Sequence, residues 1–497
     1  MPKRARSTNS TNKTANHQEK KPSKSYTSKI INNINDYKQL NISLEPLDVF
    51  TWGTGSMCEL GQGPLAKNKE IKRPRINNYL NKEDIGIVSI TVGGMHTIAL
   101  DKNENIWSWG CNDVGALGRD TSGAKEVLKD MDKENASSDE DDDGDLNDLE
   151  STPMKIEKHY FKESLDQEAK IVQLTATDNA SCILFNNGDV YAWGTFRCNE
   201  GILGFYKEDI KIQRTPWKLP SFSKYNIVQI ASGKDHLLFL DESGEVFAWG
   251  NGQQNQLGRK ILERFRLKTL DPRSFGLRHV KYIASGENHC FALKKDGTLV
   301  SWGLNQFGQC GISEEIQDGG IVSIPKKVLL PVNSSNGFGK IKMICAGEHH
   351  SLLLNEDGDI YSFGRLDMCE VGISKKDLPD YVYKDVHEKP RSIPIPTLLK
   401  GNNNEPLPNF KYIDVGSHHS IAISTNGIMY SWGFGDTYAV GLGPTDGDTE
   451  IPTRIKNTAT ADEQMIFVGC GGQFSVAGGI KLSDKLSQKR KTEMGDD

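Results

Sequence analysis

Six times along this chain, one position lies thirteen residues before an aromatic-glycine pair. The pairs are His96 and Trp109, Ala180 and Trp193, His236 and Trp249, His289 and Trp302, His350 and Phe363, and His419 and Trp432. An interval held that constant means each copy encloses the same supersecondary unit. Between His289 and Trp302 two short apolar runs flank Asp296-Gly297, a strong hairpin signal. Asn187-Gly188, Ser243-Gly244, Asp357-Gly358 and Asn426-Gly427 take the same place in other copies. Five units open on Gly-x-x-His, starting at Gly93, Gly233, Gly286, Gly347 and Gly416. After Trp-Gly or Phe-Gly comes an apolar-Gly pair such as Leu60-Gly61 or Leu257-Gly258. It ends eight residues on in every copy but one. In that copy Leu203-Gly204 ends ten residues on.

Length variation is confined to the connection from the apolar-Gly pair to the next His slot. A Pro-led strand is expected there, at Pro153, Pro216, Pro325 and Pro452. Four short strands in a unit of roughly 50 residues predict a β-propeller. Trp52-Gly53 adds a seventh aromatic-glycine pair with no His slot before it, and Phe474 holds a His slot with no Trp-Gly after it. The N- and C-terminal half-units therefore complete one another. The expected fold is an all-β, seven-bladed propeller over residues 41–480, closed by pairing of its two ends so that no sheet edge is left open.

Outside the repeat the chain is charged. Residues 1–40 hold nine Lys/Arg against Glu19 and Asp36, with too few apolar anchors to offset ordering, and are expected to be disordered. Lys3-Arg4-Ala5-Arg6 in this tail resembles a nuclear-import cluster. An acidic insertion of about residues 122–150, with eleven Asp/Glu between 130 and 150, is expected to be a solvated loop, and residues 481–497 a charged tail. No run of 18 apolar residues is present, so no membrane-spanning helix is expected. The nine cysteines include no C-x-x-C, so neither a zinc site nor a disulfide framework is expected, and a reducing compartment fits best.

No phosphate-binding loop, Ser-His-Asp set or paired carboxylate stands out, and neither a metal nor a cofactor is expected. Glycines fall at turns and close blade contacts, the Trp of Trp-Gly is expected to wedge between blades, and most repeat histidines are expected to be architectural. Departures from the repeat are the candidate sites: Thr177-Asp178-Asn179-Ala180 in place of Gly-x-x-His, Asp235 beside His236, His349 doubling His350, and the two extra residues after Trp193-Gly194.

The Gly-x-x-His, Trp-Gly and Leu-Gly frame resembles the regulator of chromosome condensation family over residues 44 to 480. Gly93-Gly-Met-His-Thr97, Gly110-Cys-Asn-Asp-Val-Gly-Ala-Leu-Gly-Arg-Asp120 and Trp193-Gly-Thr-Phe-Arg-Cys-Asn-Glu-Gly201 are especially similar. The resemblance implies a nuclear, chromatin-associated guanine-nucleotide exchange factor for the small GTPase Ran, without covalent chemistry. It implies GTPase contacts at Asp178, Asp235 and His350, with His349 as rival. It implies a projecting β-wedge at Thr195, Phe196, Arg197, Cys198, Asn199, Glu200 and Gly201, with Phe196 as its apolar contact. Histones and DNA are implied as partners of Lys3, Arg4, Arg6, Arg264 and Arg266, and import receptors as partners of the basic tail. The alternative is a propeller scaffold of the same family without exchange activity, since a fold hosts many functions.

Overall fold

The computed structural model describes residues 42–43, 45–123, 144–316, 320–331, 338–444 and 447–483. Lys3, Arg4 and Arg6 with the rest of the basic tail, the greater part of the acidic insertion, and the charged tail from 484 lie outside the described residues.

Seven antiparallel sheets of at least four strands are arranged in chain order, each built on one sequence unit. The first blade holds Ile87–Val92, His96–Asp101, Ile106–Gly110 and Met154–Lys155. The second holds Ile171–Ala176, Ala180–Phe185, Val190–Gly194 and Gln213–Lys218, and the third Ile227–Ser232, His236–Asp241, Val246–Gly250 and Arg273–Ser274. The seventh blade closes the ring: N-terminal Asp48–Thr54 pairs with C-terminal Phe474–Lys481, Trp52 facing Ser475 and Gly53 facing Phe474. Half-units from opposite ends of the chain thus share one sheet. None of the described helices is long and apolar enough to cross a membrane.

The repeat motif is the joint between blades. Trp193, Trp302 and Trp432 are fully buried. Each indole Nε1–H donates to a loop carbonyl of the preceding blade, at Ala116 (2.7 Å), Gln256 (2.9 Å) and Glu370 (2.9 Å). That carbonyl belongs to the residue just before the apolar-Gly pair. The glycine of the pair lies directly against the indole: at Gly118, with φ +68°, an added Cβ would come within 2.8 Å of Trp193 Nε1. Glycine is therefore required both for its backbone and for the approach of the ring. The repeat histidine completes the clamp. His96 Nε2 is bonded to Ser181 Oγ at 2.7 Å, and Ser181 Oγ donates to the Ala116 carbonyl at 2.9 Å. His289–Ser351 and His419–Ser475 repeat this at 2.7 and 2.8 Å. Because the hydroxyl proton points at the carbonyl, the imidazole donates from Nε2, and burial, which lowers the pKa of His96 to about 4, keeps it neutral at pH 7.

The described end of the acidic insertion, residues 144–150, is packed and still carries Asp145, Asp148 and Glu150. Residues 144–151 pack on the first Trp-Gly loop, with Asp145 Oδ1 accepting from Ala66 N–H at 3.0 Å and Arg119 donating to the Leu149 carbonyl at 2.7 Å. A short helix, Asp148–Ser151, is capped by Asn147. The expectation of a solvated loop up to 150 is therefore corrected for residues 144–150, which are packed against the first blade loops.

Candidate functional site

The turns joining first to second strands and the loops following Trp-Gly emerge on the same face, because both lie at the same end of an antiparallel sheet. The turns gather round the mouth of the central channel. Their backbones are stitched blade to blade: Asp178 N–H donates to the Lys234 carbonyl (3.0 Å), Lys234 N–H to Glu287 (3.1 Å) and Glu287 N–H to Gly347 (2.9 Å). This ring of bonds sets a ring of charges. Lys234 Nζ lies 2.9 Å from Glu287 and 3.9 Å from Asp178, Ser417 Oγ donates to Glu287 at 2.6 Å, and His418 Nε2 lies 3.2 Å from Glu348.

Burial, and then the charge of Glu287, push the Asp178 carboxyl well above its usual range despite Lys234. Burial opposes the charge of Lys234, but Glu287 and Asp178 outweigh it and hold the ammonium above its ordinary value. Burial likewise works against the Glu348 carboxylate, while His349 and His418 draw it down to about 2. The result is a rim on which Glu287 and Glu348 can receive basic side chains of a partner, with Lys234 and Arg365 as fixed cations, Arg365 Nη2 lying 2.8 Å from His418 Nδ1.

The two histidine candidates separate. His350 is fully buried, its Nε2 bonded to Ser420 Oγ at 2.8 Å in the interblade clamp, and burial lowers its pKa far below the usual value. It is not a surface contact, because the thirteen-residue frame places it at the start of a strand. His349 sits on the rim, 3.6 Å from Glu348 and edge-on to Phe307 at 4.9 Å.

The two extra residues after Gly194 form a hairpin of their own, Phe196–Cys198 paired with Gly201–Gly204. Its root corrects a second expectation. Phe196 is fully buried, 4.7 Å from Trp249 and stacked on Phe205, so it does not project. The reason is chemical. At this one junction Ala180 replaces the histidine and Leu237 the serine, and Trp249 Nε1 has no acceptor. The joint is apolar, and Phe196 fills it. Thr195 is buried too, donating to the Lys211 carbonyl at 2.6 Å. The residues that do project are Arg197, the turn residues Asn199 and Glu200, and Ile202, which pairs with Arg197 across the hairpin and is 45% exposed.

Asp235 joins rim to wedge. Its Oδ1 accepts from Arg197 N–H at 2.7 Å and from Asn179 Nδ2 at 3.4 Å. Burial pushes its carboxyl up to about 6 against the pull of those donors. The wedge turn is supported from the third blade: Gln253 Oε1 accepts from Asn199 N–H at 3.0 Å, and Gln253 Nε2 lies 3.2 Å from both Glu200 oxygens. Arg266 Nη1 lies 3.3 Å from Glu200 and 2.9 Å from Glu263. Arg266, expected on a separate chromatin surface, is thus engaged by the wedge. Arg264 remains exposed and lies over Phe265 at 4.8 Å, next to exposed Leu262 and Leu267.

The structure therefore brings Asp178, Asp235, His349 and the wedge together and excludes His350. Lys234, Glu287, Glu348, His418 and Gln253 were not singled out in the sequence. The first four were legible there, since they fill the two variable positions of the Gly-x-x-His turn in successive units. Among the described residues no group of three His, Cys, Asp or Glu is placed to hold a metal.

The family model for the RCC1-like domain matches residues 48–477. Guanine nucleotide exchange factor SRM1 of Saccharomyces cerevisiae is 68% identical over 480 residues, 97% of each chain. The crystal structure of Prp20p from Saccharomyces cerevisiae, described together with its binding properties to Gsp1p and histones, is 65% identical with TM-score 0.84. The match covers 93% of this chain and 98% of that one. Yeast RCC1 (Prp20) bound to Kap60 is 64% identical with TM-score 0.85, covering 97% of this chain and 100% of that one.

Proposed function

The chain belongs to the RCC1-like domain family, and we propose that it is a guanine-nucleotide exchange factor for a small GTPase of the Ran type, acting on chromatin in the nucleus. The observation that carries this reading is the wedge hairpin, rooted in the propeller beside the charged rim, in a chain 68% identical to an exchange factor along nearly its whole length.

A small GTPase holds its nucleotide through a phosphate-cradling loop and Mg²⁺. Exchange needs no bond to be made or broken by this chain, and the rim and wedge act as binding groups. Glu287 and Glu348 receive basic side chains of the GTPase and steer its approach, and the carboxyl of Asp178 beside them takes part through hydrogen bonds. Arg197 and Ile202 press the hairpin against the nucleotide-holding segments. The bound complex is favoured only with those segments loosened. By linkage, the protein weakens nucleotide by the factor by which nucleotide weakens the protein. Release of GDP and of GTP are both accelerated, and nucleotide supply sets the direction. The chain is a regulator, not a covalent catalyst.

Relatives support the remaining assignments. Prp20p was studied for binding to histones and is also seen bound to Kap60, and the basic cluster of Lys3, Arg4 and Arg6 in this chain offers a site for import receptors. Arg264 and Lys268, both lying over Phe265, offer cations for a chromatin surface, and any contact they make to phosphate weakens with salt.

The test is an affinity comparison. Titration of the full chain against Ran stripped of nucleotide, and against Ran with excess GDP, should give tight and weak binding respectively. Equal affinity for the two forms would overturn exchange and leave a scaffold.

A further inference from the structure

The two ends of the wedge hairpin are held by different means. Its root is fixed by burial of Phe196 and by Asp235 on the Arg197 amide. Its turn, Asn199-Glu200, stands in solvent, and a two-stranded hairpin alone is marginal in water. One side chain reaches it with both ends. Gln253 accepts from Asn199 N–H through Oε1 and donates through Nε2 towards the Glu200 carboxylate. Gln253 is itself fixed, since its own N–H donates to Oδ1 of buried Asn251 at 3.0 Å. Arg266 adds a cationic contact to Glu200.

We infer that Gln253 is the positioning residue of exchange, holding the wedge turn in its projecting pose before any GTPase arrives. This rests on the exchange reading above and adds a residue to it. A wedge already held in place does not have to be ordered at the moment of nucleotide release, so its contacts act in full on the loosened GTPase. Release of the clasp leaves the rim, and hence first encounter, unchanged. The loss therefore falls on the maximal rate of exchange and not on the concentration needed to reach half of it.

The experiment uses the full chain and has two parts. First, without GTPase, amide hydrogen exchange of residues 196–204 is compared between wild type and Gln253→Ala. The Asn199 amide should exchange faster in the variant, while the strands of the third blade stay protected. Second, release of labelled GDP from Ran is measured against concentration for wild type, Gln253→Ala, Gln253→Glu, Glu200→Gln and the double variant Gln253→Glu/Glu200→Gln. The maximal rate should fall about fivefold to tenfold in Gln253→Ala, the scale of losing hydrogen bonds of which one is to a charged group. It should fall further in Gln253→Glu, where two carboxylates meet. The double variant restores a donor facing a carboxylate with the roles exchanged, and should recover most of the rate. A wild-type maximal rate in Gln253→Ala, or a double variant no better than the product of its singles, overturns the positioning role. If wild type itself releases no GDP, the exchange reading fails instead, and the amide measurement still decides whether the clasp holds the turn.

Discussion

Replacing His350 and His349 separately by alanine divides architecture from partner contact at adjacent residues. His350→Ala removes the buried bond to Ser420 Oγ and empties the volume of an imidazole between the fifth and sixth blades. Losing the buried hydrogen bond costs about 1 kcal/mol and the truncation about 2–4 kcal/mol, together about 4 kcal/mol. With an unfolding entropy of ~2.1 cal/mol/K per residue over roughly 430 folded residues, the melting temperature should fall about 4 °C. His349 lies at the rim, with side-chain exposure of 14% and an edge contact to Phe307. His349→Ala should therefore shift the melt by less than about 1 °C, since few packed contacts are lost. Calorimetry of both variants, with GTPase titration of each, gives the comparison. His350→Ala should lower the melt and keep its affinity for the GTPase, and His349→Ala should do the reverse. An unmoved melt with weakened GTPase binding in His350→Ala would refute the placement of that residue in the clamp.

Three further outcomes are expected. As pH falls through about 6, Asp235 is protonated in the folded chain and becomes a poorer acceptor for the Arg197 amide, so exchange should decline towards pH 5. Asp235→Asn, which keeps an oxygen there, should flatten that decline in GDP-release assays. Stability from this group runs the other way: the folded carboxyl holds its proton more tightly than the unfolded one, so its contribution diminishes as pH rises from about 4 to 6. The repeat histidines act oppositely, burial holding His96 down to about 4 and His236, His289 and His419 to about 3. The stability they confer is complete above the unfolded value and is lost as pH drops below about 6.5, by at most ~1.4 kcal/mol per pH unit for each. Melting curves from pH 7 to pH 5 should show this, with a shallower slope in His289→Gln. Finally, Trp302→Phe removes a bond to the Gln256 carbonyl, whereas Trp249 has no partner to lose. Denaturant titration should find Trp302→Phe more destabilising by about 1 kcal/mol.

The ring was legible because its signal is spacing, and spacing survives substitution: Ala180 and Phe474 lack the histidine yet keep their places. The wedge was legible as two extra residues, though its orientation was not. Phe196 reads as an exposed loop residue until Ala180 and Leu237 are seen to leave its junction without a polar clamp, which an aromatic ring must fill. The interval of thirteen puts His350 in the repeat slot, where most histidines are expected to be architectural. The resemblance to a family whose rim carries a histidine pointed the other way, and burial decided between them. Gln253 and Arg266 were illegible as parts of the site. They meet Glu200 from 53 and 66 residues away in sequence, and no local pattern announces such a contact.

The central claim is that this propeller loosens nucleotide on a GTPase through its wedge. The most direct measurement is the release of labelled GDP from Ran with catalytic amounts of wild type and of Arg197→Ala/Ile202→Ala, both checked for folding by circular dichroism. Strong acceleration by wild type, with most of it lost in the variant, is the predicted result. No acceleration by folded wild type, or equal acceleration by both, would contradict it.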